Sequence, residues 1–344
     1  MYQPDYDGRV ADEGLAAERA SLRAQFPFEG QPFEDAALKV FRYQARANPV
    51  YGRWLILLRR SPETIERLAD IPFLPIQFFK TQTVWCLPGR SASQIFCSSR
   101  TTGQVPSRHL VHDLGLYTES ARLGFERVFG PLSGCYFISL LPSYSQTGES
   151  SLVHMVHGFA QAAGQREGAH RIEPTIADLE IALAAAQVQG KQPALFGVTH
   201  ALLALAKAGS LSTPFLLIET GGMKGRGPEL TRAELHLRLQ EAFLAADIRS
   251  EYGMTELLSQ GYTQASGSES FVFPPWVQAT LRDVYEPLAP SQRGRGGLNL
   301  IDLANLDSCA FIATEDQAEA TESGFRILGR LDQAEIRGCN LLSL

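Results

Sequence analysis

The sequence predicts an α/β protein in which helices are layered on mixed sheets, and two observations carry this prediction. Between about residues 114 and 245, apolar runs of strand length alternate with segments whose apolar residues recur at helical spacing. After about residue 261 the pattern becomes strand-rich. The alternating part favours a largely parallel sheet, in which ligands lie beyond the carboxyl ends of the strands.

Local signals place the individual elements. A helix over residues 36–58 is interrupted at Asn48-Pro49, and Ser61-Pro62 predicts a short helix that runs through Ala69. Thr199 is expected to cap one helix, and the Thr231 to Glu234 segment is a capping-box pattern that opens another. The predicted strands cover residues 95–97, 107–111, 135–141, 194–198, 214–218, 248–252, 271–273, 298–301, 310–313 and 325–328. The remaining predicted helices cover residues 114–128, 150–163, 176–186, 199–208 and 231–245.

Bulk properties disfavour several classes of function. The formal net charge is −6 over 344 residues and no basic run stands out, so nucleic-acid binding is not favoured. No apolar stretch reaches the roughly 18 residues typical of a membrane helix, and the first residues show no signal-peptide pattern. Five cysteines without C-x-x-C spacing indicate neither a disulfide framework nor a zinc site, and we expect Cys86, Cys97, Cys135 and Cys309 to be core residues of a cytoplasmic protein.

One stretch concentrates groups that bind nucleotides. Residues 248–257 predict a short strand, a tight turn at Gly253, and a polar pair, Thr255 and Glu256, where the turn ends. The ring of Tyr252 could stack on a base, the glycine lets backbone approach a ligand, the hydroxyl could bond a phosphate and the carboxylate could hold Mg²⁺. A strand end followed by a helix N-terminus explains the same residues, so the stretch alone does not decide.

Two loops follow predicted strands and are rich in glycine or hydroxyl side chains. The loop from Ser98 to Pro106 suits a segment that wraps phosphates, although an ordinary polar hairpin has the same composition. The loop at residues 219–225 leaves a buried strand. Both loops and the Tyr252 to Glu256 turn could share one edge of the sheet.

Three segments in this order resemble the adenylate-forming superfamily of acyl-CoA synthetases, peptide-synthetase adenylation domains and luciferases. They read S-S-x-T-T-G at Ser98–Gly103, E-Y-G-M-T-E at Glu251–Glu256 and G-R-x-D-x-x-x-x-R-G at Gly329–Gly338. From about residue 70 onward the chain is similar to the acyl-protein synthetases of bacterial bioluminescence, also called long-chain-fatty-acid luciferin-component ligases. The segments that carry this closer likeness are Leu141–Tyr144, Glu219–Arg226, Ser250–Gln260 and Arg337–Cys339.

The resemblance implies a role for each matching position, with ATP and Mg²⁺ as cofactors. Tyr252, beside Gly253, would stack on adenine, Thr255 would bond the α-phosphate, and Glu256 would hold Mg²⁺. Asp316 is the candidate for the ribose hydroxyls, and Arg330 would reach ribose or phosphate. The residues that would surround the β- and γ-phosphates are Ser98, Ser99, Thr101, Thr102 and Gly103, and those that would let backbone pass beside adenine are Gly221 and Gly222.

The activity that the resemblance implies is an ATP-dependent acid–thiol ligase. A carboxylic acid, expected to be a fatty acid, would become an acyl-adenylate with release of pyrophosphate. In the bioluminescence family a cysteine near the C-terminus then receives the acyl group and a partner reductase reduces the thioester. Cys339 is the matching candidate here, although a buried structural cysteine is the alternative. Two other hypotheses stay open: transfer to coenzyme A or carrier-protein phosphopantetheine, and a nucleotide- or partner-binding module without turnover.

Two departures from the superfamily pattern bear on these expectations. Arg100 stands where the phosphate loop of the superfamily has glycine. If the backbone needs a positive φ there, arginine costs about 1–2 kcal/mol of conformational strain. Alternatively, the loop is reshaped and Arg100 adds a cation for the phosphates. The superfamily continues into a small C-terminal domain with a lysine used in adenylation, whereas this sequence ends five residues after Cys339, so we expect that domain to be absent. The expected regions are a helical N-terminal region packed on the main body, an adenylate-forming core and a truncated hinge segment: residues 1–70, 71–328 and 329–344.

Overall fold

Helices cover both faces of one large sheet in the structure, a computed structural model that describes residues 13–98, 105–141, 149–221 and 230–331. The helices are α1 (Glu13–Gln25), α2 (Phe33–Ala47), α3 (Pro49–Leu57), α4 (Phe78–Thr81), α5 (Leu114–Phe129), α6 (Ser151–Ala162), α7 (Ile176–Val188), α8 (Thr199–Ala208) and α9 (Arg232–Ala242). The strands are β1 (Leu74–Pro75), β2 (Gln94–Cys97), β3 (Arg108–Val111), β4 (Cys135–Leu140), β5 (His170–Arg171), β6 (Gln192–Val198), β7 (Leu216–Thr220), β8 (Asp247–Tyr252), β9 (Gly261–Thr263), β10 (Ser270–Val272), β11 (Val277–Arg282), β12 (Arg295–Asp302), β13 (Phe311–Ala320) and β14 (Phe325–Arg330). The α/β prediction is confirmed.

The sheet has a parallel half and an antiparallel half. Its order is β11-β12-β13-β14-β10-β9-β8-β7-β6-β4-β5, with β1 beside β13, and β2 and β3 form a separate hairpin. Neighbours from β5 to β8 are parallel, whereas β8 to β14 and β11 to β13 pair antiparallel. The largely parallel sheet expected for the alternating part of the chain is confirmed over residues 135–252, and the strand-rich part beyond it is antiparallel. After Tyr252 the strands are joined by short connections without crossover helices, and such connections give antiparallel pairs.

Successive residues of the parallel strands serve two separate cores. In β4, Phe137 faces the layer formed with α5 and α6, while Ile138 faces the layer formed with α7, α8 and α9. This alternation is what a strand buried on both faces requires. Helices α2 and α3 pack into the first layer, where the ring of Tyr51 stacks on Phe311 of β13 with centroids 6.1 Å apart. Within the described ranges, no helix is long and apolar enough to cross a membrane.

Three local predictions are wrong. Instead of a helix from Ser61 to Ala69 there are two single 3₁₀ turns, because the Ser61 hydroxyl bonds to Glu63 rather than capping and Ile65 is drawn into the core in an extended conformation. Thr199 does not cap α8, since Val198 is the N-cap and the Thr199 hydroxyl points elsewhere. Cys97 is only half-buried, whereas the other three cysteines predicted as core residues are buried.

Candidate functional site

Several predicted site residues lie where β7 and β8 end. These strands are parallel neighbours, with Thr220 opposite Glu251, so Gly221 and Tyr252 emerge at the same edge. Gly221 has φ +75°, a conformation that glycine adopts without the strain of a side chain. The Thr199 hydroxyl donates to the Gly221 carbonyl at 2.5 Å and to the Glu219 carboxylate at 3.0 Å, which fixes this turn from the neighbouring β6–α8 junction.

The phosphate-loop candidates are described only at the base of the loop. The Ser98 hydroxyl accepts a hydrogen bond from the Ser107 backbone N–H at 2.9 Å, and the Ser98 N–H donates to the Ser107 carbonyl at 3.1 Å. These two bonds close the hairpin formed by β2 and β3. The candidates outside the described residues are Ser99, Arg100, Thr101, Thr102, Gly103, Gly222 and Cys339.

Tyr252 and Asp316 are brought together from strands 64 positions apart in the chain. The Tyr252 hydroxyl donates to Oδ2 of Asp316 at 2.6 Å, and its ring meets Phe273 edge-on with centroids 5.9 Å apart. Burial, with a further contribution from the Asp316 carboxylate, raises the pKa of Tyr252, so the phenol keeps its proton. The residue predicted to stack on adenine and the residue predicted to bind ribose therefore lie side by side.

Glu256 is a buried carboxylate at the start of the next segment, with 5% of its surface exposed. Burial raises the pKa of this group, and a hydrogen bond from the Ser107 side chain opposes that shift. Ser107 thus connects the base of the phosphate loop to the carboxylate predicted to hold Mg²⁺. Sequence reasoning did not identify Ser107, since a serine after a proline in a polar loop carries no distinctive signal.

Arg330 acts on both carboxyl groups, the buried Glu256 and the half-buried Asp316. It lies opposite Asp316 in the register of β13 and β14, and its guanidinium lies 3.6 Å from the Glu315 carboxylate. Its charge lowers the pKa of Asp316 and of Glu256, each against the larger effect of burial, so it acts on both groups. The side chain is 76% exposed and is therefore available to an anionic ligand.

The backbone of the Thr255–Glu256 pair is held from two directions. The Thr255 carbonyl accepts a hydrogen bond from Nδ1 of buried His109 at 2.8 Å, and Nε2 of the same ring accepts from the Ser308 hydroxyl at 2.8 Å. Because a carbonyl only accepts, the neutral ring must carry its proton on Nδ1. The Glu256 carbonyl accepts from the Asn305 amide, also at 2.8 Å. Sequence reasoning missed His109 and Asn305, which lie in ordinary strand and loop patterns.

Asp302 anchors the residues that follow. Its Oδ2 accepts the N–H groups of Leu258 and Ser259, both at 3.0 Å, and its Oδ1 accepts from the Ser259 hydroxyl at 2.7 Å and from the Ala304 N–H at 3.1 Å. Burial raises the pKa of Asp302 to about 6 in spite of these four bonds. The carboxylate therefore fixes the loop that leaves Glu256.

The anchoring loop, residues 303–309, is itself held by the N-terminal helices. The Gln44 amide donates to the Asn305 carbonyl at 2.7 Å, and the Asn48 amide donates to the Ser308 carbonyl at 2.8 Å. Arg19 of α1 makes a two-pronged contact with Asp307, with bonds of 2.5 and 2.7 Å. Helices α1 and α2 thus brace the loop that positions the Glu256 backbone.

Two expectations about the central turn need correction. Gly253 lies outside the left-handed region, so glycine is required there for space: a Cβ would collide with Oε1 of Glu251. Beside this turn, Arg249 bonds to Asp247 at 2.6 Å and Glu251 accepts from the Thr220 hydroxyl at 2.6 Å. The expected helix-start alternative also fails, because Gly261–Thr263 follows as a strand without an intervening helix.

The donor set fits a magnesium ion shared with a nucleotide. In the part of the chain that the structure describes, no three His, Cys, Asp or Glu side chains are grouped to hold a metal ion. Mg²⁺ is held by one or two carboxylates together with phosphate oxygens and water. A single carboxylate such as Glu256 meets that requirement only when a phosphorylated ligand is bound alongside.

Solved structures of similar architecture include a CoA ligase and ATP-bound MatB. One is 2-hydroxyisobutyryl-CoA ligase in the postadenylation state in complex with R3-HIB-AMP, with TM-score 0.59 and 14% identity over 96% of this chain and 72% of that chain. The fold is that of the N-terminal domain of adenylate-forming enzymes. ATP-bound MatB from Rhodopseudomonas palustris matches with TM-score 0.52 and 18% identity over 72% of this chain and 50% of that chain, as does an ATP-bound RpMatB-BxBclM chimera.

Sequence comparison adds no further assignment. No family model and no curated protein matches the chain. The chain spans about half the length of the MatB structures it matches. These structures therefore identify the fold, and the closer likeness to acyl-protein synthetases stays a prediction from the motifs.

Proposed function

We propose that this protein activates a carboxylic acid with ATP to give an acyl-adenylate and pyrophosphate. The observation that carries this proposal is the convergence of Tyr252 and Glu256, at and just beyond the carboxyl end of β8, with Asp316 of β13 and Arg330 of β14. A phenol that keeps its proton, one buried and one half-buried carboxyl group and an exposed guanidinium suit an adenosine phosphate with a cation. Structures of the same fold with bound ATP and with R3-HIB-AMP support the choice of nucleotide chemistry.

In the proposed reaction a carboxylate oxygen of the substrate attacks the α-phosphorus of ATP in line. The new bond joins that oxygen to phosphorus, the bond from phosphorus to the bridging oxygen breaks, and pyrophosphate leaves with the electron pair. Thr255 would hydrogen-bond the α-phosphate, and Glu256 would hold Mg²⁺, which supplies neutralisation of the phosphate charge. The contribution of the chain is positioning and charge stabilisation, without covalent chemistry in this step.

For the second step we propose transfer of a fatty acyl group to a protein thiol, with Cys339 as the acceptor. Its sulfur would attack the acyl carbon, the acyl-phosphate bond would break and AMP would leave, so that a thioester forms. The likeness of residues 219–226, 250–260 and 337–339 to acyl-protein synthetases supports this step, and a fatty-acyl reductase would be the partner that consumes the thioester. Transfer to coenzyme A or to carrier-protein phosphopantetheine is the alternative.

Carboxylate-dependent exchange of labelled pyrophosphate into ATP tests the first step. We expect exchange with a fatty acid present, and Glu256→Gln should lower it by at least a hundredfold because the side chain can no longer supply a negative oxygen ligand. Glu322→Gln, at an exposed position away from the site, is the matched control and should exchange like the parent. Absence of exchange with every fatty, aryl and hydroxy acid, together with absence of ATP binding, would favour a module without turnover.

The acceptor is tested by incubating the protein with ATP and radiolabelled tetradecanoate. Hydroxylamine-labile label on the protein is expected, and it should disappear in Cys339→Ser while pyrophosphate exchange continues. Label that persists in this variant would overturn the assignment of Cys339. Label that appears only on added coenzyme A or carrier protein would replace it with the alternative acceptor.

A further inference from the structure

A row of polar side chains crosses three strands on the sheet face opposite Tyr252. Thr220 of β7 pairs with Glu251 of β8, and Glu251 pairs with Tyr262 of β9. Residues directly opposite each other in neighbouring strands project to the same face, so these three form one line, called here the polar row. Each member is buried, with 3%, 7% and 1% of its surface exposed.

The polar row packs against α5 on one side, and Glu251 of the row lies beside Gly253 of the central turn. The rings of Phe125 and Phe129 contact Tyr262, with centroids 6.2 and 5.2 Å away. The Thr220 hydroxyl donates to Oε2 of Glu251 at 2.6 Å. The other carboxylate oxygen lies over Gly253, so the absence of a side chain at Gly253 is what leaves room for it.

Gln260 lies beside the row, next to Gly253 of the central turn. It precedes Tyr262 by two positions, which places it on the same face of β9, and its Cγ lies 3.4 Å from the position that a Cβ on Gly253 would occupy. Its surface is 6% exposed. A carboxylate, an amide, a phenol and a hydroxyl therefore meet beneath the turn that carries Thr255 and Glu256.

Two atoms of this cluster have unused hydrogen-bonding capacity. Among the described residues, no group bonds to the hydroxyl of Tyr262 or to Oε1 of Gln260, although both atoms are buried. Buried polar atoms without a partner are rare in folded proteins, and at the edge of a binding site they indicate a ligand group that completes the bonding. Burial and the nearby Glu251 carboxylate raise the pKa of Tyr262, so its hydroxyl stays protonated and can donate as well as accept.

We propose that the polar row and Gln260 bind a hydroxyl or amino group on the acyl part of the acid substrate. This inference rests on the proposed function and names its substrate class. Oε1 of Gln260 is an acceptor and the Tyr262 hydroxyl can accept as well, so a hydrogen-bond donor would complete both atoms. An unsubstituted alkyl chain has no donor and would leave these groups unpartnered, and a site built around buried polar groups discriminates strongly against such an analogue.

The test compares matched acids in pyrophosphate exchange with the full-length protein. The probes are tetradecanoate, its 2- and 3-hydroxy derivatives and 3-aminotetradecanoate. At least one substituted acid is expected to exceed tetradecanoate by about tenfold in kcat/KM, which corresponds to about 1.4 kcal/mol. A hydroxy acid and an amino acid identify different donors, because only the amine should lose most of its advantage in Glu251→Gln, where the negative charge is removed.

Tyr262→Phe tests the row independently of the overall rate. The ratio of kcat/KM for the preferred substituted acid to that for tetradecanoate is expected to fall about tenfold toward one. Tyr285→Phe, an exposed tyrosine far along the chain, is the matched control and should keep the parent ratio. A parent enzyme that prefers tetradecanoate, or a Tyr262→Phe variant that keeps the parent ratio, would overturn the inference.

Calorimetric binding of the same acids separates this inference from the proposed function. If no acid supports exchange but a substituted acid binds more tightly than tetradecanoate and loses that preference in Tyr262→Phe, the proposed ligase activity fails and the polar row stands. If neither exchange nor binding shows a preference for a substituted acid, the polar row is not a substrate subsite.

Discussion

His109 is the residue whose replacement tests the bracing of the site most directly. His109→Phe keeps an aromatic ring of similar size beside Phe79, whose ring now lies edge-on at 5.7 Å, but it removes both hydrogen bonds of the imidazole. The Thr255 carbonyl would then lose its donor and the buried Ser308 hydroxyl its acceptor. Leaving such groups unpartnered costs about 1–3 kcal/mol each, so we expect a loss of about 2–4 kcal/mol in the free energy of unfolding at pH 7.

The same variant has a pH signature that a simple packing defect lacks. Burial lowers the pKa of His109 to about 4, from an ordinary value near 6.5. Between these values the unfolded chain binds the proton and the folded chain does not, so acid removes stability as pH falls through this window. From pH 7 to pH 5 the loss is about 2 kcal/mol for a single histidine with these two pKa values. Phenylalanine does not titrate, so the gap between parent and variant should shrink by about that amount.

Urea unfolding at pH 7 and pH 5 measures both effects. Contributions from every other titratable group are shared by the two proteins and cancel in the difference. His170→Phe in the short edge strand β5 is the matched control, and it should leave pyrophosphate exchange at the parent level. A gap that is equal at both pH values would refute the assignment of a neutral, buried His109, and no gap at pH 7 would refute the energetic role of its hydrogen bonds.

Pyrophosphate exchange rates of His109 variants distinguish a role in positioning Thr255 from a role in stability alone. We expect His109→Phe to lower kcat for exchange, because the Thr255 and Glu256 backbone loses one of its two fixed points. His109→Asn retains a donor near Nδ1 and should recover part of the exchange rate without restoring the bond to Ser308. Equal exchange rates for the Phe and Asn variants would mean that the contact with Thr255 does not position the site.

Three further predictions follow from the surrounding contacts. Asp302→Asn should destabilise the fold by about 2–4 kcal/mol in urea unfolding, because both carboxylate oxygens accept N–H groups and either amide orientation sets a donor against a donor; an unchanged midpoint would contradict this. In a double-mutant cycle, Arg19→Gln and Asp307→Asn should show a coupling of about 1–3 kcal/mol, since the pair is largely buried and two-pronged, and additive effects would show that the contact is not coupled. Because burial raises the pKa of Glu256 in the free protein, kcat/KM for exchange, which reports the free protein, should fall on acidification at a pH above that of an ordinary glutamate, and an acid limb that is unchanged in Glu256→Gln would assign that limb to another group.

Local signals predicted the elements that build the site. The interruption at Asn48-Pro49, the Thr231 capping box and the apolar runs of the parallel strands all lie where the sequence placed them. Such signals act within a few residues, so a single sequence contains them in full. They fail where a side chain has a stronger distant partner, as Thr199 does in bonding to Glu219 instead of capping its helix.

The sequence alone determined the α/β layering, the order of the three motifs and the positions of Tyr252, Glu256, Asp316 and Arg330 along the chain. Only the tertiary structure decided that Tyr252 bonds to Asp316, that His109 holds the Thr255 carbonyl from 146 positions away, and that the sheet turns antiparallel after β8. Strand register and the packing of α1 and α2 on the 303–309 loop set these contacts. Neither the register nor this packing is encoded in a local pattern, because each depends on which distant surfaces are buried together.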